Sequence, residues 1–128
     1  MDLPSVSIGR AGEYLAASIF EMQGITTVHV DVTGVDLWVE TPSGRRVTVQ
    51  VKAASEAKVQ PDRKSKRYRF NLYCKQTHTR AEVFCFVALD KKQLRLVSSA
   101  EARSSYKAFT EADFDESLML SDINRYLY

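Results

Sequence analysis

A chain of 128 residues with 45% hydrophobic content can bury one core but is short for two, so residues 1–128 are read as a single globular domain. The net charge is only +2, yet Lys58 to Arg69 holds six bases against one acid, while residues 100–128 hold three bases against six acids. The longest apolar run, Val83 to Leu89, is too short to span a bilayer, and with no secretory signal in view the expectation is a soluble, cytoplasmic protein with no membrane partner.

Apolar residues at helical spacing (Ile8, Gly12, Leu15, Ile19 and Met22, widened by Ala16 and Phe20) predict a helix from Ser7 to Gln23, stopped by Gly24. Glu13 falls at the border of that apolar arc, where it either looks toward an adjacent sheet or is a plain surface glutamate near a helix N-terminus. Thr26 to Val32 reads as a strand, and its His29 is read as an ordinary sheet histidine.

The stretch from Gly34 to Lys52 carries the strongest signal. Val35, Leu37 and Val39 alternate with Asp36, Trp38 and Glu40, and after a loop at 41–45 the alternation resumes as Val47, Val49 and Val51 against Thr48, Gln50 and Lys52. A hairpin that pairs Val35 with Val51, Leu37 with Val49 and Val39 with Val47 closes one aliphatic face. On the other face it sets Asp36 opposite Gln50, with Lys52 one diagonal away, all within roughly 5 to 8 Å at Cβ. Such residues are either the wet side of a half-buried sheet or a site.

Residues 53–66 are too polar for a core element, with a turn at Pro61-Asp62. The run of cations there is either a solvated loop or a patch for a polyanion. Tyr68 to Tyr73 predicts a short strand or extended segment, Cys74 to Arg80 a brief helix, and Val83 to Leu89 the buried central strand. A further strand covers Leu94 to Val97. Ser98 with Glu101 has the form of a capping box opening a helix to about Tyr106, and Ser121-Asp122 caps a last helix, Ile123 to Tyr128. Cys74 and Cys85 lack metal-type spacing and read as reduced thiols; no glycine-rich phosphate loop or serine-nucleophile motif occurs.

The segments Gly9-Arg10-Ala11-Gly12-Glu13-Tyr14-Leu15-Ala16-Ala17, Gly34-Val35-Asp36-Leu37-Trp38-Val39 and Val49-Gln50-Val51-Lys52 together resemble the PD-(D/E)XK nuclease superfamily, especially its small Holliday-junction-resolvase-like and intron-encoded endonuclease-like members. Tyr68 to Phe70 and Ala81 to Leu89 are similar to its later segments. The resemblance implies an α/β restriction-endonuclease-like core, α-β-β-β-α-β, with a mixed central sheet and here C-terminal helical additions. It implies Glu13, Asp36, Gln50 and Lys52 as catalytic positions. Val35 stands where the family has proline, and Gln50 where it has an acid, which removes one negative charge from the site.

The chemistry has its own logic. Phosphodiester hydrolysis needs a cation to offset charge on the phosphate and an activated water. Asp36, the Gln50 amide oxygen and the Val51 carbonyl suit Mg²⁺, or Mn²⁺ in its place, with Glu13 acting directly or through water, while Lys52 serves the attacking water or the developing charge. Arg45, Arg46, Arg63, Lys64, Lys66 and Arg67 are candidate contacts to the DNA backbone. A metal-dependent DNA endonuclease, acting on branched or site-specific duplex DNA as a homodimer or higher homo-oligomer, is the leading expectation. A catalytically degenerate nucleic-acid-binding module, favoured by Gln50, and a protein-interaction subunit are the alternatives.

Overall fold

The computed structural model describes residues 3–59, 61, 64–72, 81–102 and 106–128. In chain order the elements are α1 (Ser5–Met22), β1 (Thr26–Val32), β2 (Val35–Glu40), β3 (Arg46–Ala54), β4 (Lys58–Val59), β5 (Lys66–Asn71), β6 (Val83–Ala88), β7 (Gln93–Ser98), β8 (Tyr106–Phe109) and α2 (Glu116–Leu127). A five-stranded sheet runs β1-β2-β3-β6-β7, and a three-stranded one β4-β5-β8. The larger sheet is mixed, since β3 and β6 are parallel and its other neighbours antiparallel.

α1 ends where Gly24, at φ 78°, lets its N–H reach the Glu21 carbonyl at 3.0 Å and the Ile25 N–H reach Phe20 at 2.9 Å, a Schellman closure. The closure folds Ile25 fully into the core, so Met22, expected on the inner stripe, is instead 73% exposed. The valines of the hairpin behave as their alternation requires. Leu37, Val39, Val47 and Val49 pack with Ala16, Ile19 and Phe20 of α1 and with Met119, Ile123 and Leu127 of α2, so both helices cover one face of the large sheet. On the opposite face Phe84 and Phe86 meet Tyr68, Phe70, Phe109 and Phe114, so the small sheet covers only the β6 side. That double covering is why β6 is buried at all six positions.

Three expectations need correction. Residues 53–66 are not wholly irregular, because β3 continues to Ala54 and β4 pairs with β5, Lys58 opposite Arg67. Ser98 and Glu101 do form reciprocal bonds, Glu101 N–H to Ser98 Oγ at 3.2 Å and Ser98 Oγ–H to Glu101 at 2.9 Å. They close a turn rather than open a helix: the chain next seen, β8, is extended, pairs with β5 and buries Phe109. Tertiary pairing outweighs the local cap. The last helix is longer than expected and is capped by Asp115, which accepts from the Ser117 and Leu118 N–H groups. Asp122 binds Arg95 at 2.7 Å and the Leu96 N–H at 2.9 Å instead. The brief helix expected at 74–80 lies outside the described residues, as does Cys74; Cys85 is a free, buried thiol whose burial pushes its pKa up.

Candidate metal and nucleic-acid site

The hairpin register is the expected one from Leu37↔Val49 to Glu40↔Arg46. It does not continue to Asp36↔Gln50. β2 stays paired with β1 throughout, past a bulge to Val35 opposite Val32, while its ladder to β3 stops at Leu37 and the Asp36 carboxylate takes over the bonding: its Oδ2 accepts the Val51 N–H at 2.7 Å. Beyond Val51 no described strand pairs with the β2 edge of β3, so side chains from both faces of the sheet can meet there. In a strand the N–H and C=O of one residue leave on the same edge, so the Val51 carbonyl is directed to the side occupied by Asp36.

Gln50 and Lys52 project from the face opposite the buried valines and lie beside Phe84 and Phe86 in the parallel register. Both are half-buried. Glu13 arrives from the other face. It follows Gly12, a close approach of α1 to β3, where a Cβ would lie 2.5 Å from that of Ala53. Burial, and next the Asp36 carboxylate, raise the Glu13 pKa, while His29 and Arg10 act in the opposite sense. Two carboxylates are thus close enough to repel across the open edge. His29, paired opposite Leu37 on β1, faces α1, its ring 5.2 Å from that of Tyr14.

Next to this corner is a cavity of about 580 Å³ lined by the first turns of α1, the end of β3, and β4 and β5. Lys52, Lys58, Arg67 and Arg69 line it, with Glu56 the one acid among the described lining residues. Lys58 and Arg67 are directly opposed across the strands, a like-charge pairing that is unfavourable unless an anion is shared. Lys58 and Arg69 bound the basic run that the sequence offers as a patch for a polyanion, but the run alone does not put them on one wall with Lys52. Their role needs the register of β4 on β5, which a two-residue strand does not announce.

The remaining cations divide. Arg67 is in the cavity, and Lys64 and Lys66 are exposed nearby in sequence. Arg45 and Arg46 are at the hairpin tip, six residues or roughly 20 Å from Lys52 along the strand, and are engaged with Glu82 at 3.9 Å and Glu40 at 4.0 Å. Arg63 lies outside the described residues.

Among the described residues no three His, Cys, Asp or Glu side chains group as a metal cage. A cation held here would rest on mixed oxygens: Asp36 Oδ1, which takes no hydrogen bond from the described residues, the Gln50 amide, the Val51 carbonyl, and Glu13 directly or through water. That set fits Mg²⁺, which keeps several waters and needs few protein ligands.

The architecture defines the class first: this is an endonuclease-like α/β fold. The solved structure of a bacterial homing endonuclease, I-Ssp6803I, matches it with a TM-score of 0.67 over 92% of this chain and 93% of that one, at 11% identity. A likeness at that identity is one of fold. No family model and no curated protein matches the sequence. No described helix is long and apolar enough to cross a membrane.

Proposed function

We propose that the chain is a Mg²⁺-dependent DNA endonuclease of the PD-(D/E)XK type. The observation that carries this reading is the open corner of β3, where Asp36 is held against Val51 with Lys52 and a four-cation cavity alongside. A metal bound there supplies charge compensation at the phosphate and lowers the pKa of a water.

The rest falls to the chain's own groups. Lys58, Arg67 and Arg69 hold the phosphates flanking the scissile one, and Lys52 anchors that phosphate while orienting the attacking water. The Val51 N–H fixes the rotamer of Asp36, so one oxygen stays directed at the corner. Glu13, reaching the corner from α1 close enough to feel the Asp36 charge, would hold the metal directly or through water. Cutting both strands of a duplex needs two such sites, which a symmetric homodimer provides.

Incubation with supercoiled plasmid and with branched DNA, in Mg²⁺, Mn²⁺ or EDTA, tests the proposal. Metal-dependent nicking that is lost in Asp36→Asn and Lys52→Ala supports it. Tight DNA binding without cutting under any divalent metal favours the degenerate binding module, for which Gln50 is the specific support.

A further inference from the structure

Among the described residues, none covers the face of the sheet that carries Gln50 and Lys52 between β1 and β3, since the small sheet packs on the β6 side. On that face Val28 and Trp38 are opposed across β1 and β2, and Trp38 is opposed to Thr48 across β2 and β3. Val28 is 53% exposed and Trp38 52%. They line a cavity of about 550 Å³, within the roughly 300–1,000 Å³ usual for ligand pockets.

Its electrostatics differ from those of the cationic cavity. The acids at its rim, Glu40 and Glu82, are each matched by an arginine, Arg46 at 4.0 Å and Arg45 at 3.9 Å. A neutral hollow with an indole on its floor has nothing to offer a phosphate. It suits a flat, uncharged group with apolar faces and polar edges. Trp38 is two residues from Asp36 on one strand and one face, about 6.5 Å along the backbone, so a group stacked on it belongs to the nucleotide beside the phosphate held at the corner.

The geometry points to a nucleobase-stacking subsite at Trp38, and so to a substrate with at least one unpaired nucleotide next to the cleaved bond. This rests on the nuclease reading above. In an intact duplex each base face is covered by its neighbours, and an aromatic side chain can take a base face only where the strand is splayed, bulged or single. The two-residue spacing of Trp38 from Asp36 favours a base over a second protein chain, since a chain laid on Trp38 would lie beside Asp36 as well.

The protein contains one tryptophan, so its fluorescence reports on this position alone. The test titrates the full chain, with Ca²⁺ replacing Mg²⁺ to hold back hydrolysis, against a dye-labelled blunt duplex and the same duplex with a splayed arm, following dye anisotropy and tryptophan emission together. Quenching with the splayed arm but not with the blunt duplex is expected, as is loss of about tenfold of the preference for the splayed arm in Trp38→Ala, with Trp38→Phe retaining most of it. Anisotropy showing that both DNAs bind while emission stays constant would overturn the subsite and leave the nuclease reading standing. No anisotropy change with either DNA would remove both. Emission that shifts with protein concentration alone would show the face to be an interface between copies, and would overturn the subsite.

Discussion

Asp36 and Val51 are joined side chain to main chain, the Asp36 Oδ2 accepting the Val51 N–H at 2.7 Å where the β2–β3 ladder stops. The same bond ends the pairing and orients the carboxylate, so structural and chemical roles of Asp36 are separable by substitution. Asp36→Ala removes the acceptor and is expected to cost about 1–3 kcal/mol of stability along with all cleavage. Asp36→Asn keeps an acceptor oxygen and is expected to retain most of that stability while cleavage is still lost. Denaturant unfolding of the two variants makes the comparison; equal stability losses would show that the bond is not what holds the corner.

Gly12 sets the distance between α1 and β3. An alanine there would place Cβ 2.5 Å from Ala53 Cβ, and only backbone movement relieves it. Gly12→Ala gains up to about 1 kcal/mol of helix propensity but is expected to lose about 1–3 kcal/mol to overpacking, and to lift Glu13 off the corner. Ala53→Gly in the same chain removes the clashing atom and is expected to recover both stability and activity. Additive effects in that double-mutant cycle would count against direct contact.

The Glu13 carboxyl holds its proton more tightly in the folded chain than at its ordinary value of 4.5, through burial and then Asp36. The folded state therefore binds more protons than the unfolded one in the window above 4.5, and stability falls as pH rises through the raised value. Glu13→Gln removes that penalty. The variant is expected to melt higher than wild type at neutral pH, with the gain vanishing below the ordinary value, and to cut poorly. A melting difference that does not change with pH would mean that neither burial nor Asp36 raises the Glu13 pKa in the folded chain.

Lys58 and Arg67 face each other across β4 and β5 and line the cavity with Lys52. Replacing both by alanine is expected to reduce the log–log salt slope of DNA binding by about two, near one unit for each phosphate left without its cation, and to leave stability intact, since a like-charge pair is removed. Arg45 and Arg46 already have carboxylate partners at the hairpin tip, and their double replacement is expected to change the slope less. Equal slopes for the two double variants would place the DNA-backbone cations elsewhere.

Where one period ruled a segment, the sequence was enough. The alternation of Val47, Val49 and Val51 with Thr48, Gln50 and Lys52 is strict, and its register on Leu37 and Val39 is the one found. Val83 to Ala88 was legible as central because no polar residue interrupts it. The Asp36–Val51 bond was not legible, since the alternation that sets the register runs on through Val35 and Val51 and does not mark where the β2–β3 ladder stops. The second sheet escaped for a related reason: β4 is two residues long, and β8 follows a turn whose side-chain bonds mimic a helix start. Local signals there are short, and packing of Phe109 on Phe70 and Phe86 decides the outcome.

Under the nuclease proposal, Gln50 is the side chain on which an active site and a degenerate one would differ. It is half-buried on β3 beside Phe84, at the position where the acid of a metal-binding triplet would stand. Gln50→Glu has almost the same shape, so its effect is that of charge. Without metal, a further carboxylate near Asp36 and Glu13 is expected to destabilise the chain by about 1–2 kcal/mol at neutral pH, from burial and repulsion. With Mg²⁺ the order reverses, because a tighter site gains more from mass action: the Mg²⁺-induced rise in melting temperature is expected to be larger for Gln50→Glu than for wild type, and smaller for Gln50→Ala. Identical rises in all three would mean that residue 50 touches no metal. Cleavage read alongside then divides the remaining cases. Wild type and Gln50→Glu both cutting shows that an amide oxygen suffices; Gln50→Glu cutting where wild type does not shows a fold that keeps its DNA groove and has lost its chemistry through this one side chain.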